Sequence, residues 1–344
     1  MSGLSILGIG AVTPAGWGIE PLRTALANGR PLPVQELARP GWRQPLAVRR
    51  VPAPESKPSF LAHPRLRRTS PITHYAVAAA LEAIGPDVDA VIKGQLRLGV
   101  ILCVMSGCVN YSRRFYDETL SDPSTASPLV FPETVFNAPG SHLAALLGTT
   151  AVNYTLVGDP GSFLMGLVVA GDWLAQGMVN GCVIVAAEES DWLTADAFRL
   201  FNRNQIVADG AGAIYVGSAR AGLGVHVAAI SEALLFASRS ARRNAIQAAA
   251  AEARRHAHGA LLCDGVQGVP RLDQPELEAW GDWTGPRISP GRILGQALMA
   301  SAAWQCVSAI DIVSRGLHPR AIVHIPGINE HVMWASFEQS TSCR

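Results

Sequence analysis

The segment Gly158-Asp159-Pro160-Gly161-Ser162-Phe163 has the make-up of a sharp turn between a β-rich run, Tyr154 to Val157, and an apolar helical run, Ser162 to Gln176. A strand-to-helix elbow suits a nucleophile, because the first helical amides and the helix dipole favour negative charge there. Ser162 is the candidate. A serine elbow reads GxSxG, and Gly161-Ser162-Phe163-Leu164-Met165-Gly166 lacks the second glycine at that spacing. Lying one or two residues into the helix, Ser162 reads rather as a hydroxyl that caps backbone amides, with the nucleophile the weaker alternative.

Glu188-Glu189 follow the apolar run Val183 to Ala187, which puts them at the C-terminal end of a strand, where α/β sheets carry functional groups. The competing reading is a paired or capping carboxylate. His142, His324 and His331 sit beside apolar elements and read as core or interface groups, whereas His256 and His258, next to Arg254 and Arg255, read as solvated. Cys103, Cys108, Cys182, Cys263, Cys306 and Cys343 lie mostly inside apolar runs, with no CxxC and no metal-ligand spacing. They imply reduced core thiols, a cytoplasmic location and no metal site.

The elements that must position these groups follow a βαβ rhythm. Strand-like runs at 4–9, 98–104, 152–157, 182–187, 212–216, 225–230, 260–263 and 321–325 alternate with helical stretches at 71–84, 139–147, 162–176, 240–257, 274–281 and 292–315. Such alternation predicts a layered α/β fold. Residues 31–70, rich in Pro and Arg, predict a surface excursion without regular structure. With 49% apolar and 16% charged residues over 344 positions, the chain can bury a large core. A net charge of +1 argues against a nucleic-acid footprint, and the cluster Arg65, Arg67, Arg68 reads as a solvated face. The run Gly295 to Val313 is apolar, but Gln296, Gln305, Asp311 and its small residues predict a buried helix rather than a membrane span. Leu4 to Gly10 lacks a basic flank and reads as a buried strand rather than a signal peptide.

Several blocks resemble, in order, the β-ketoacyl synthases of the thiolase fold. They are Gly8-Ile9-Gly10-Ala11-Val12-Thr13-Pro14-Ala15-Gly16, Arg67-Arg68-Thr69-Ser70, Arg97 to Ile101, Ser127 to Pro132, Asn137 to Gly140 and Ala208-Asp209-Gly210-Ala211-Gly212-Ala213. The resemblance implies a five-layer αβαβα fold built from two similar halves, 1–220 and a shortened 221–344. It also implies an elbow cysteine and two histidines as the catalytic set. Here the cysteine's place falls on Pro160 or, with a one-residue shift, on Gly161; Asp264 stands for the histidine of an HGTGT turn, and Arg292 for that of a GHxxGAAG helix start. Neither elbow residue can be acylated. Asp264 and Arg292 are then expected either to pair as ions in an emptied pocket or to form a new acid/base site.

Three such losses imply a chain with no catalysis of its own and no cofactor. What the resemblance implies is a chain length factor: the inactive partner of a β-ketoacyl-ACP synthase in a heterodimer that acyl carrier protein visits, nearer the aryl polyene type than the larger aromatic polyketide subunits. The dimer strand is expected over Ala151 to Val157, with Asn153, Tyr154 and Thr155 at its centre. The floor of the substrate tunnel is expected on Ser106 to Leu120 and its continuation, with Tyr111, Phe115, Tyr116, Phe131 and Phe136 as candidates. Three alternatives remain: a scaffold that only stabilises the ketosynthase, an acyltransferase or priming enzyme using Ser162, and a homodimeric acyl-binding pseudo-enzyme.

Overall fold

A computed structural model describes residues 4–218 and 222–340; Cys343 and the boundary between residues 220 and 221 lie outside them. Among the described residues ten strands run through the main sheet, β1 (Leu4–Thr13), β2 (Leu98–Val104), β3 (Asn153–Val157), β4 (Gly181–Glu188), β5 (Gly210–Ser218), β6 (Val225–Ile230), β7 (Leu261–Cys263), β8 (Arg287–Ile288), β9 (Arg320–Ile325) and β10 (His331–Gln339), and two short strands, Gly16–Trp17 on β1 and Leu234–Leu235 on β10, complete it. The helices that position the site are α1 (Pro71–Ile84), α2 (Val109–Ser121), α3 (Ala138–Leu147), α4 (Ser162–Ala175), α5 (Trp192–Phe201), α6 (Arg239–Ala253), α7 (Pro270–Ala279), α8 (Pro290–Leu294) and α9 (Leu298–Ser314).

The chain repeats one topology. The first half runs β3-β2-β4-β5-β1 and the second β8-β7-β9-β10-β6. In each half the third strand pairs parallel with the second and the second parallel with the fourth. The fifth strand then runs antiparallel to the fourth and to the first. The halves meet where β1 and β6 pair antiparallel, Leu4 opposite Val227. Helices α1 and α3 cover one face of the first half, α6 lies against β10 with α7 packed on it, and α4 and α9 fill the middle. This is the five-layer αβαβα arrangement.

Unbroken apolar runs become strands here because both faces are buried. On β2, Ile101 and Cys103 enter the central core, whereas Leu98, Val100, Leu102 and Val104 enter the core beneath α1 and α3. On β10, Met333, Ala335 and Phe337 face the centre while Val332 and Trp334 face α6. Gly8 and Gly10 let α1 lie directly on β1, since a Cβ at either would overlap the backbone oxygen of Ala83 or Ala79.

Three expectations need correction. Residues 31–70 do hold regular structure: Gln35–Leu37 pairs with Leu46–Arg49, which pairs in turn with Val207–Ala208. Its apolar positions Leu46 and Val48 pack on Ala195 and Val207, a partner that no local pattern announces. The helical stretch 292–315 is broken into α8 and α9, because Gly295 adopts φ +94° and the next peptide bonds to other strands, Gln296 N donating to Ile206 O at 2.8 Å. His256 is not free in solvent; its ring lies on Trp334 with centroids 5.0 Å apart.

Candidate functional site

The elbow is built as its residue types require. β3 ends at Val157, and the turn closes through Ser162 N to Asp159 O at 2.8 Å and Phe163 N to Pro160 O at 3.2 Å. Ser162 is buried at the first position of α4, with its hydroxyl beside Gly158: a Cβ on that glycine would stand 2.6 Å from Oγ. It does not cap the helix. The capping position belongs to Gly161, whose backbone is helical (φ −60°, ψ −21°) and which has no side chain to offer, so no side-chain cap forms. Across the turn, His331 Nε2 faces Gly161, 2.6 Å from where a Cβ would stand. Among the described residues no histidine is hydrogen-bonded to Ser162, although Nε2 of His331, buried and without a hydrogen-bond partner, faces the elbow.

Pro160 lines a cavity of about 30 Å³ together with Gly265, Gln267, Gly291, Leu298 and Ile328. The elbow, the 264–268 loop and the start of α8 therefore do converge, as the sequence blocks imply. Their side chains do not. Asp264, fully buried, is paired with Arg287 and accepts Val266 N at 2.9 Å, whereas Arg292 is exposed on α8. The expected Asp264–Arg292 pair is thus replaced by Asp264–Arg287, because the parallel register of β7 on β8, Cys263 beside Ile288, brings Arg287 alongside. Burial, reinforced by Glu276, pushes Asp264 up to about 6 against the pull of Arg287. Glu276 Oε1 in turn accepts Gly265 N at 3.0 Å and bonds His324 Nδ1 at 2.8 Å. His324, unassigned by the sequence beyond a core role, is fully buried on β9, edge-on to Trp280.

Glu188 and Glu189 turn out to be ties. Glu188 accepts Met105 N at 2.5 Å and Ser106 N at 3.1 Å; Glu189 accepts Ser70 Oγ, Ile72 N at 3.1 Å and Asn110 N at 2.9 Å. They pin the start of α1 and the start of α2 to the end of β4. Burial pushes Glu188 up to about 7 and Asp209, which accepts Ser190 N, up to about 6. Acid groups raised in the folded chain contribute stability that is complete below their unfolded pKa near 4 and is lost as pH rises through 6 to 7. Thermal melts are therefore expected to fall between pH 5 and pH 8, with Glu188 alone accounting for on the order of 2 kcal/mol. Glu188→Gln should flatten that pH slope, and an unchanged slope would contradict the assignment.

The remaining candidates lie on α2, on the turn after it and on β3. Phe115 on α2 packs against Phe131 with ring centroids 5.4 Å apart, and Phe136 lies over Gly107. Tyr111, half-buried, borders an open groove of about 540 Å³ with Asn110, Arg113 and Arg114. Tyr116 is 62% exposed, and Phe131 and Phe136 are exposed too. β3 is the edge of the sheet, with Tyr154 at 52% exposure and Asn153 exposed, while Thr155 is half-buried.

Two five-stranded units of one topology around a central helical layer, with an elbow after the third strand, define the thiolase-like fold of β-ketoacyl synthases. Among solved structures, the chain is similar to the ishigamide ketosynthase/chain length factor, with 19% identity and TM-score 0.80 over 98% of this chain and 99% of that one. It is also similar to a ketosynthase in complex with its chain length factor from Xenorhabdus doucetiae, with 15% identity and TM-score 0.75 over 98% of both chains. A third match is a type II polyketide synthase acyl carrier protein in complex with its ketosynthase, with 15% identity and TM-score 0.77 over 98% of this chain and 99% of that one. No protein-family model and no curated protein matches the sequence. Among the described residues no helix is long and apolar enough to cross a membrane.

Proposed function

We propose that this chain is a non-catalytic, chain-length-factor-like subunit that pairs through β3 with an active β-ketoacyl-ACP synthase and limits chain growth at the shared interface. One observation carries the reading. On the resemblance the place of the family's thiol falls on Pro160 or Gly161, and the cavity that Pro160 lines is small, about 30 Å³. A second subunit would supply the rest of an acyl tunnel, and the aromatic side chains of α2 and the turn after it, together with the unpaired edge of β3, suit such a wall.

The test is co-expression with the ketosynthase of the same gene neighbourhood, followed by size exclusion with mass determination and malonyl-ACP elongation by each subunit and by the pair. Elongation by the pair alone, with this chain unacylated, supports the reading. Turnover or an acyl adduct on the isolated chain overturns it and points to Ser162. Within an active pair, Phe115→Ala or Tyr111→Ala is expected to shift products toward longer chains, read by mass spectrometry. A lower yield with unchanged lengths would reduce the role to that of a scaffold.

A further inference from the structure

The turn after Pro326 wraps around a single carboxylate. Asp159, only 1% exposed, accepts the backbone N–H of Ile328 at 2.8 Å, Asn329 at 3.0 Å, Glu330 at 3.3 Å and His331 at 3.4 Å. Four successive amides aimed at one point form a nest, a concavity of partial positive charge that binds an anion without help from side chains. Gly327 permits the shape: its φ is +61°, and a Cβ would stand 2.7 Å from Asp159 Oδ2 and overlap the backbone oxygen of His331. Among the described residues no cation lies within ion-pair distance of Asp159; Arg242, the neighbouring guanidinium, donates instead to Gly327 O at 2.9 and 3.1 Å. Every hydrogen bond to this buried carboxylate comes from the backbone, and Arg242 acts on it only through space.

We propose that residues 327–331 form an anion site for a small carboxylate, and that Asp159 is its tethered occupant. The aspartate ties the elbow to the opposite wall of the cavity, since Pro160 follows it directly and Gly327 and Ile328 line the same 30 Å³ space. While the tether holds, the amides that would receive an incoming anion are taken. Removing the side chain leaves room for one carboxylate of one or two carbons, formate or acetate. The inference concerns the nest itself, and its success or failure leaves the proposed pairing with a ketosynthase untouched.

The experiment is chemical rescue. Asp159→Ala in the full chain is expected to melt several degrees below the wild type and to recover part of that loss, saturably, in sodium formate or acetate, but not in sodium chloride of equal ionic strength or in neutral acetamide. The wild type, its nest already filled, should respond to formate no more than to chloride. Asp159→Asn keeps the volume but turns an amide N–H₂ toward N–H donors, so it should be destabilised and resist rescue. Equal effects of formate and chloride on Asp159→Ala would overturn the proposal, as would equal rescue of Asp159→Asn. If Asp159→Ala is recovered only unfolded, its refolding yield in formate against chloride gives the same answer, and no difference there also overturns it.

Discussion

Thr155→Pro is expected to leave this chain folded and to weaken its association with a ketosynthase strongly. The asymmetry comes from the two edges of β3. Val152 O accepts Val100 N at 3.0 Å, and Gly158 N donates to Val104 O at 3.2 Å, so the even-numbered peptides of this parallel pair face β2. By alternation, the N–H groups of Asn153, Thr155 and Val157 face away from the sheet, toward the unpaired edge. A proline at 155 therefore removes no ladder bond within the chain, and edge strands tolerate it. Across an antiparallel interface it removes one donor and places a ring where the partner strand must lie. Loss of that bond with local separation of the strands is worth about 2–3 kcal/mol, roughly a 30- to 150-fold weakening. The comparison to make is Tyr154→Pro, which strikes the bonded edge and should lower the melting temperature of the isolated chain. Co-purification of Thr155→Pro with the ketosynthase at wild-type yield would show that β3 is not the pairing strand.

What the sequence disclosed and what it hid divide along a physical line. β2 and α1 are legible to the residue, at 98–104 and 71–84, because fully buried strands and alanine-rich packed helices write their environment into every position. The elbow is legible for the same reason, since Gly-Asp-Pro-Gly between a strand run and a helix run leaves few other shapes. The absence of a cysteine there needs no structure. Helix α2 escapes notice because none of its residues is buried, so no apolar stripe marks it. The Asp264–Arg287 pair depends on the register of β7 against β8, a relation between segments that neither contains. Asp159 is hidden more deeply, because its partners are backbone amides, which every sequence possesses. The repeat of topology, five strands of one order twice over, leaves no visible repeat of residues, since only burial pattern and not identity is needed to build each unit.

The same reasoning makes Trp304→Ala the most damaging single change. Trp304 sits on α9 in the middle layer, fully buried, and its indole N–H donates to Ala211 O at 2.9 Å and Val12 O at 3.2 Å. Those carbonyls belong to facing residues of β5 and β1, and β1 is the strand by which the first half reaches the second. Gly210 adopts φ +146° beside it, and a Cβ there would stand 2.7 Å from the indole, so backbone and ring are fitted to each other. Truncation removes a large buried ring from a layer covered on both faces, where the surrounding strands cannot collapse into the gap; such changes cost about 3–5 kcal/mol. Against a net stability of about 5–15 kcal/mol, that is most of the margin. The variant is expected to be recovered largely insoluble, or with a strongly lowered thermal midpoint. Trp304→Phe separates the two contributions: it keeps most of the volume and loses the N–H, for about 1–2 kcal/mol. If Trp304→Ala melts within a degree or two of Trp304→Phe, the central layer is not what joins the halves, and the β1–β6 pairing must carry that role instead.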